Sequence, residues 1–454
     1  MKALKEISRQ FPAIRKLYHK LWHKTPYSWR LGKEFWCWYT LYNESETWSI
    51  EEIESTQLNF LKELLYNASK CLYYAPFLRD VNIDKLDSPD CLKDIFPVTD
   101  RNTYLSNYKT ILSPEYKKFK RASYATSGTT GLALQYYHRF DESKRESAAI
   151  FYQWKRVGFI PGKTVKAEFR GLTDSGNIQH ISGPNSWRYN ILDFSSEAVK
   201  TYSTHIRNRN IKFFHAYPSA LYLLCHTINK YKIPFPQPEA IMLASENVYD
   251  WQLNLIEKVF PEAKIIVHYG CAEHVVLGAW CEHRRSYHCL PLYSVVETDP
   301  QNGTVIGTNL HNPINPFIRY RMSDVAKISK ERTCSQCKRP LYPLIDSVEG
   351  REEEYLYSPE KGFIPPAIVT YPLKRLHYIK EMQFVQNTET TVTIRYLLHE
   401  PVNIADINDE LAGIKQGLQR LMGNAVIFDF VQVEGFERGL TGKFKWIISS
   451  LQPE

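Results

Sequence analysis

Between residues 211 and 269 short apolar runs alternate with amphipathic stretches, and this is the pattern that most restricts the fold. Residues 211–215, 240–244 and 264–268 (IKFFH, AIMLA, KIIVH) read as strands, and 219–231 and 249–260 as helices. Near-continuous apolar strands alternating with helices form a parallel sheet covered on both faces. Ligands of such sheets bind beyond the carboxyl ends of the strands. This chain places Tyr217-Pro218-Ser219, Ser245-Glu246 and Tyr269-Gly270-Cys271-Ala272-Glu273 there, so one site is expected to collect all three segments.

The rest of the chain is arranged around that unit. At 454 residues two or three domains are expected, at roughly 150 residues each. The first 80 or so residues read as helical, with Ser49-x-x-Glu52 as a capping box. A second box at Ser143-x-x-Glu146 opens a helix that should stop at Gly158. Strand-like runs at 293–297, 304–308, 317–321 and 325–329 are separated by Asp299-Pro300, Asn302-Gly303 and Asn312-Pro313, which suggests a small antiparallel sheet or barrel. From Gly350-Arg351 onward, strands at 383–385, 391–396, 426–431 and 444–448 flank a helix at 404–422, the pattern of a small α+β domain. The expected fold class is therefore α/β. Residues 1–85 form a helical extension and 86–350 a large domain with a parallel βαβ sheet plus a barrel-like antiparallel subdomain. Residues 351–454 form a small mobile α+β lid.

Hydrophobic residues make up 43% of the chain and charged residues 23%, as in ordinary soluble globular proteins. Part of the net charge of +8 sits where Lys2, Lys5, Arg9, Arg15, Lys16, Lys20 and Lys24 interleave with apolar residues. Such a basic amphipathic helix either packs on its own domain or makes peripheral contact with an anionic membrane. No run reaches the roughly 18 apolar residues of a membrane span, and no apolar signal core follows the first residues, so a cytoplasmic location is expected. No nucleic-acid motif is present and no nucleic-acid partner is expected; an ATP substrate accounts for a basic cleft equally well. Oligomeric state is not legible. Nine cysteines are too sparse for a disulfide scaffold, and a close pair in a reducing compartment suggests a metal or redox site.

Ser123-Tyr124-Ala125-Thr126-Ser127-Gly128-Thr129-Thr130-Gly131 packs five Ser/Thr hydroxyls and two glycines into nine residues. Converging backbone N–H groups and small hydroxyl donors suit a phosphate. On the segment alone an ordinary Ser/Thr-rich turn is the better reading, and the rest of the chain decides. Taken in order, the segments resemble the adenylate-forming superfamily, most closely its phenylacetate-CoA ligase-like branch, which includes proteins of capsule-polysaccharide gene clusters. The resemblance implies that Thr126, Ser127, Gly128, Thr129, Thr130 and Gly131 grip the β- and γ-phosphates of ATP. The basic residue that often follows that loop is replaced by Leu132-Ala133-Leu134.

Tyr269-Gly270-Cys271-Ala272-Glu273 is similar to the family's Tyr-Gly-x-Thr-Glu, with Ala272 for Thr. It implies that Tyr269 lies against adenine and that Glu273 holds Mg²⁺, with Gly270, Ser245 and Glu246 in the nucleotide site. Arg319-Tyr320-Arg321-Met322-Ser323-Asp324 is similar to Arg-Tyr-Arg-Thr-Gly-Asp, implying that Asp324 binds the ribose hydroxyls. Gly350-Arg351-Glu352-Glu353-Glu354 matches the Gly-Arg-x-Asp-Asp hinge and implies nucleotide contact by Arg351. Gly439-Leu440-Thr441-Gly442-Lys443 occupies the place of the C-terminal Ser-Gly-Lys loop, implying that Lys443 is the catalytic lysine, beside Glu273.

The implied activity is ATP- and Mg²⁺-dependent activation of a small carboxylic acid to its acyl-adenylate, with transfer most readily to coenzyme A. An amine or amino sugar is the alternative acceptor. A catalytically silent nucleotide-binding, zinc-stabilised scaffold is the reading from another class. In this branch Tyr217, Tyr222 and Ala244 would shape an apolar slot, favouring an aryl or medium acyl acid. Cys334-Ser335-Gln336-Cys337 supplies a C-x₂-C knuckle. Members of the branch carry a structural Zn²⁺ at a spacing that Cys281, His288, Cys334 and Cys337 fit, with His283 and Cys289 as substitutes.

Overall fold

A computed structural model describes residues 25–125, 134–171, 173–174, 176–181, 183, 185–329, 331, 333–339, 344–349, 355–364, 369, 378–398, 403–436 and 447–451. The basic N-terminal stretch to Lys24, the phosphate-loop residues 126–131, the hinge at 350–354 and Lys443 lie outside these residues.

The chain opens with helices α1 (Tyr27–Glu44) and α2 (Ile50–Ala68). The expected capping box at the start of α2 is present: the Glu52 N–H donates to Ser49 Oγ at 3.2 Å and the Ser49 N–H to Glu52 Oε2 at 2.7 Å. After α3 (Arg101–Ile111), strands β1 (Arg121–Ala125) and β2 (Gln135–Arg139) pair antiparallel, Tyr124 with Tyr136, flanking the segment expected to hold phosphate. Helix α4 (Glu142–Trp154) starts two residues earlier than a cap at Ser143 would set it. Ser143 therefore lies inside the helix and bonds Phe140 O, while Glu146 accepts from the Tyr293 hydroxyl, so the second capping box is not made. The helical run does end at Gly158, whose φ of 93° belongs to the left-handed region.

The centre is a 12-stranded mixed sheet. Its parallel part comprises β3 (Lys166–Phe169), β5 (Ser186–Tyr189), β6 (Phe213–Ala216), β7 (Ala240–Leu243) and β8 (Lys264–Gly270), with β4 (Ile178–Ile181) antiparallel at the edge. Helices α5 (Ser196–Asn208), α6 (Pro218–Tyr231) and α7 (Asp250–Val259) alternate with these strands. Every residue of β6 and β7 is buried, which is why these strands read as unbroken apolar runs. Phe214, Ala216, Ile241 and Leu243 pack on the side of α5 and α6, and Phe213, Ala240 and Met242 on the side of α1 and α4. Truncating one such side chain, as in Leu243→Ala, costs about 2–5 kcal/mol.

The antiparallel strands are continuous with this sheet through β8. They are β9 (Leu277–Trp280), β10 (Tyr287–Cys289), β11 (Ser294–Thr298), β12 (Thr304–Asn309), β13 (Tyr320–Ile328) and β14 (Leu344–Glu349). The two short strands expected at 317–321 and 325–329 form one strand, β13. Between the Ile306↔Arg321 and Thr304↔Val325 pairs it carries two more residues than β12, a bulge at Met322-Ser323-Asp324. Gly307 of β12 has no room for a side chain: a Cβ there would stand 2.3 Å from Val275 O, so β12 packs its backbone directly on the turn after β8.

Beyond a small hairpin, β15 (Leu356–Ser358) and β16 (Gly362–Ile364), the C-terminal unit has a four-stranded sheet. Its order is β19 (Ile427–Gln432), β18 (Thr391–Leu398), β17 (Ile379–Thr388) and β20 (Ile447–Ser449), and α8 (Ile404–Met422) joins β18 to β19. No helix among the described residues is long and apolar enough to cross a membrane.

Candidate active site and metal centre

At the carboxyl end of β8 the chain turns through Cys271–His274, and His274 takes a positive φ of 57°, a conformation that non-glycine residues hold only when their surroundings fix it. Three consecutive residues of this turn are anchored. The Ala272 carbonyl lies 3.2 Å from His138 Nε2 on β2, the Glu273 carbonyl accepts from Asn309 Nδ2 at 3.1 Å, and His274 Nδ1 lies 3.2 Å from Glu142 on α4. Glu142 is also ion-paired with buried Arg145. Burial opposes charge on His274, yet Glu146 and Glu142 together raise its pKa. Burial holds His138 neutral, down to about 3, with the charge of His274 acting in the same sense.

The ligand atoms of His138, Glu142 and His274 lie within 4.8 Å of one another, but they do not make a metal centre. The two rings stack at 4.3 Å and 17°, so their in-plane lone pairs run side by side, and Asn312 Nδ2 occupies His138 Nδ1 at 3.1 Å. These residues hold the turn. Sequence reading missed them because each lies on a different element and none belongs to a motif.

The turn presents Glu273. Its carboxylate is reached by the Tyr320 hydroxyl at 3.4 Å and has no ion-pair partner among the described residues; burial, the largest effect, raises its pKa. One position back on β8's end, the Tyr269 hydroxyl donates to Asp324 Oδ2 at 3.1 Å and touches Met322 Sδ at 3.9 Å. The β13 bulge turns Asp324 toward β8, as bulges re-aim side chains. Gly270 is tightly enclosed: a Cβ would lie 3.1 Å from Leu277 Cδ1. On the neighbouring strand end, Ser245 has a φ of 75°, and Glu246 accepts from the Ser219 N–H at 3.1 Å, tying the start of α6 to the end of β7. The structure thus brings Tyr269, Glu273 and Asp324 into one connected group, while Glu246 is engaged in capping a helix.

Two of the three residues expected to form an apolar slot have identified neighbours. Tyr222 packs edge-on to Trp251 at 4.6 Å and its hydroxyl approaches Gly362 of the C-terminal hairpin. Tyr217 lies under the Arg170 guanidinium, 5.4 Å from the ring centroid.

Away from this group, the ligand atoms of Cys281, His288, Cys334 and Cys337 lie within 4.8 Å of one another, the first three residues buried. Cys337 Sγ is 3.3 Å from His288 Nε2, and His288 Nδ1 has no hydrogen-bond partner among the described residues. Burial first, then Arg156 and Arg339, push His288 down to about 3, leaving the neutral imidazole that ligation requires. Tetrahedral zinc with bonds of about 2.3 Å places sulfur ligands roughly 3.8 Å apart, so the four residues fit that ion. Arg339, just after the knuckle, pairs with Glu282 at 2.6 Å and with Glu46 at 3.2 Å, joining this lobe to the segment after α1.

Among solved structures the chain is similar to 2-hydroxyisobutyryl-CoA ligase in complex with 2-HIB-AMP and CoA in the thioesterification state. The identity is 16% over 90% of this chain and 91% of that chain, with a TM-score of 0.55. It is also similar to that ligase in the postadenylation state with R3-HIB-AMP, at 16% identity, 90% and 92% coverage and a TM-score of 0.50. No curated protein matches it by sequence. Residues 356–450 match the CapK C-terminal domain. The chain thus takes the fold of the adenylate-forming ligases, with a CapK C-terminal domain at residues 356–450.

Proposed function

We propose that this protein activates a carboxylic acid with ATP, forming an acyl-adenylate and releasing pyrophosphate, and then passes the acyl group to an acceptor. The observation that carries this reading is the connected group at the β8 end: Tyr269 bonded to Asp324, and Glu273 held out on an anchored turn with no ion-pair partner among the described residues. ATP·Mg²⁺ supplies what that group lacks. Tyr269 offers an aromatic face to adenine and Asp324 a carboxylate to the ribose hydroxyls. Glu273 is a hard oxygen ligand for Mg²⁺, which would neutralise charge on the phosphates.

The acid's carboxylate attacks the α-phosphorus, and the bond to pyrophosphate breaks. Bringing two anions together needs positive charge at the reacting oxygens. Lys443 and Arg351, together with the loop Thr126-Ser127-Gly128-Thr129-Thr130-Gly131, are assigned to that task by their place in the sequence. Closure of a lid beginning near residue 351 on a large domain of residues 86–350 would deliver Lys443. Cys281, His288, Cys334 and Cys337 hold a structural Zn²⁺, since four protein ligands leave no open position.

Coenzyme A is the first acceptor to test. Transfer to an amine or amino sugar is the second reading, favoured by the CapK C-terminal domain match. The test is Lys443→Ala in a pyrophosphate-release assay over a carboxylic-acid library. Acid-dependent release by the wild type that falls at least about 10²-fold in the variant is expected; release at the wild-type rate removes Lys443 from the chemistry. Product analysis then separates thioester from amide.

A further inference from the structure

Arg170 directly follows β3 at the carboxyl edge of the parallel sheet, beside the end of β6, where the Tyr217 N–H donates to Phe169 O at 3.1 Å. Its Nη1 donates to His215 Nε2 at 2.7 Å and its guanidinium covers the Tyr217 ring at 5.4 Å. His215 cannot serve as its counter-ion: burial, then Arg170 and Lys166, drive that imidazole well below its ordinary range, so it is neutral. Glu168, two residues earlier on β3, is already shared by Lys166 at 3.0 Å and Arg188 at 3.1 Å. Arg170 has no carboxylate partner among the described residues, and being only partly buried it is open to a ligand from solvent. Here a rigidly held guanidinium is left without an anion at the edge where α/β sheets bind ligands.

We propose that Arg170 is a specificity residue that takes a second anionic group at the far end of the acid substrate. This rests on the acid-activation reading. The nucleotide group stands at the end of β8, and β7 and β6 separate it from β3. At about 4.8 Å per strand, a guanidinium reaching back over β6 lies on the order of 10 Å from the β8 end. That is too far for the carboxylate that attacks ATP, and a suitable distance for the other end of a short dicarboxylate or an acidic sugar acid. The proposal sets a cationic group over Tyr217, one of the three residues from which an apolar slot was expected.

The experiment compares dicarboxylates of graded chain length, and a hexuronate, with the matching neutral-tailed monocarboxylates. The readout is acid-dependent pyrophosphate release by the wild type, Arg170→Gln and Arg170→Lys, with melting curves confirming that each is folded. The wild type should prefer the doubly charged acids at an optimum length. The ratio of kcat/KM between the two classes should collapse by about 10- to 100-fold in Arg170→Gln, and Arg170→Lys should keep part of it. A wild type indifferent to the second charge, or a ratio unchanged in Arg170→Gln, overturns the proposal. If no acid releases pyrophosphate from the wild type, acid activation itself has failed, and calorimetric binding of the same dicarboxylates decides alone. Weaker binding by Arg170→Gln supports the assignment, and equal or absent binding contradicts it.

Discussion

The two ends of the parallel sheet's carboxyl edge differ in how their charges are met. At the β8 end the open charge is negative, the Glu273 carboxylate, and everything around it is fixed: the Tyr269 hydroxyl meets Asp324, the Tyr320 hydroxyl reaches Glu273, and the turn between them is fastened by His138, Asn309 and Glu142. At the β3 end, Arg170 rests on a neutral imidazole and an aromatic face. The contrast follows from the ligands proposed for each. ATP is the same molecule for every enzyme of this chemistry, so its site is preorganised down to the backbone and leaves short motifs. The acid differs from enzyme to enzyme, so its end is marked by an unmet charge rather than by a pattern of residues.

That difference can be broken by experiment, beginning with the largest effect. Glu273→Gln removes the charge at the nucleotide end and should lower acid-dependent pyrophosphate release by about 10²-fold or more for every acid alike. An effect confined to some acids would erase the distinction between the two ends.

Two neutral buried histidines on the elements of the β8 end, His138 on β2 and His268 on β8, are each pushed from 6.5 down to about 3, first by burial. Between those values the unfolded chain binds more protons than the folded one, so stability is full above about 6.5 and is lost as pH falls. Denaturant unfolding at pH 6.5 and 4.5 should show a loss of about 1.4 kcal/mol per histidine per pH unit across that window. A flat profile would mean that these imidazoles are charged in the fold.

Asp324→Asn keeps the shape but not the charge of the residue proposed to bind the ribose and should raise KM for ATP by about 10- to 100-fold. The ranking of acids should not move. Least of all, R285A removes exposed pairs with Asp250 and Glu257 on α7, away from both ends, and should change stability by less than about 1 kcal/mol, with no effect on either preference.

The sequence disclosed most where a residue's neighbours along the chain decide its structure. The alternation over 211–268 placed β6, β7 and β8 and the helices between them, because strands buried on both faces must be apolar throughout. Ser49-x-x-Glu52 gave the start of α2 for the same local reason, while Cys281, His288, Cys334 and Cys337, whose ligand atoms the fold gathers within 4.8 Å, were named through the family resemblance. What escaped depends on contacts distant in sequence. Ser143-x-x-Glu146 has the right spacing for a cap, yet tertiary contact with Tyr293 takes its Glu. The bulge that aims Asp324 exists only because β12 and β13 are paired, and Arg170 reads as one arginine among many until His215 and Tyr217 are seen beneath it.

The central claim is that this fold carries out attack on the α-phosphorus of ATP by a carboxylic acid. Exchange of labelled pyrophosphate into ATP isolates that half-reaction without any acceptor. The account predicts exchange that requires both Mg²⁺ and an acid, is strongest with acids bearing a second anionic group, and is lost in Glu273→Gln. ATP binding without acid-dependent exchange across the whole acid panel would contradict it and leave a nucleotide-binding scaffold in its place.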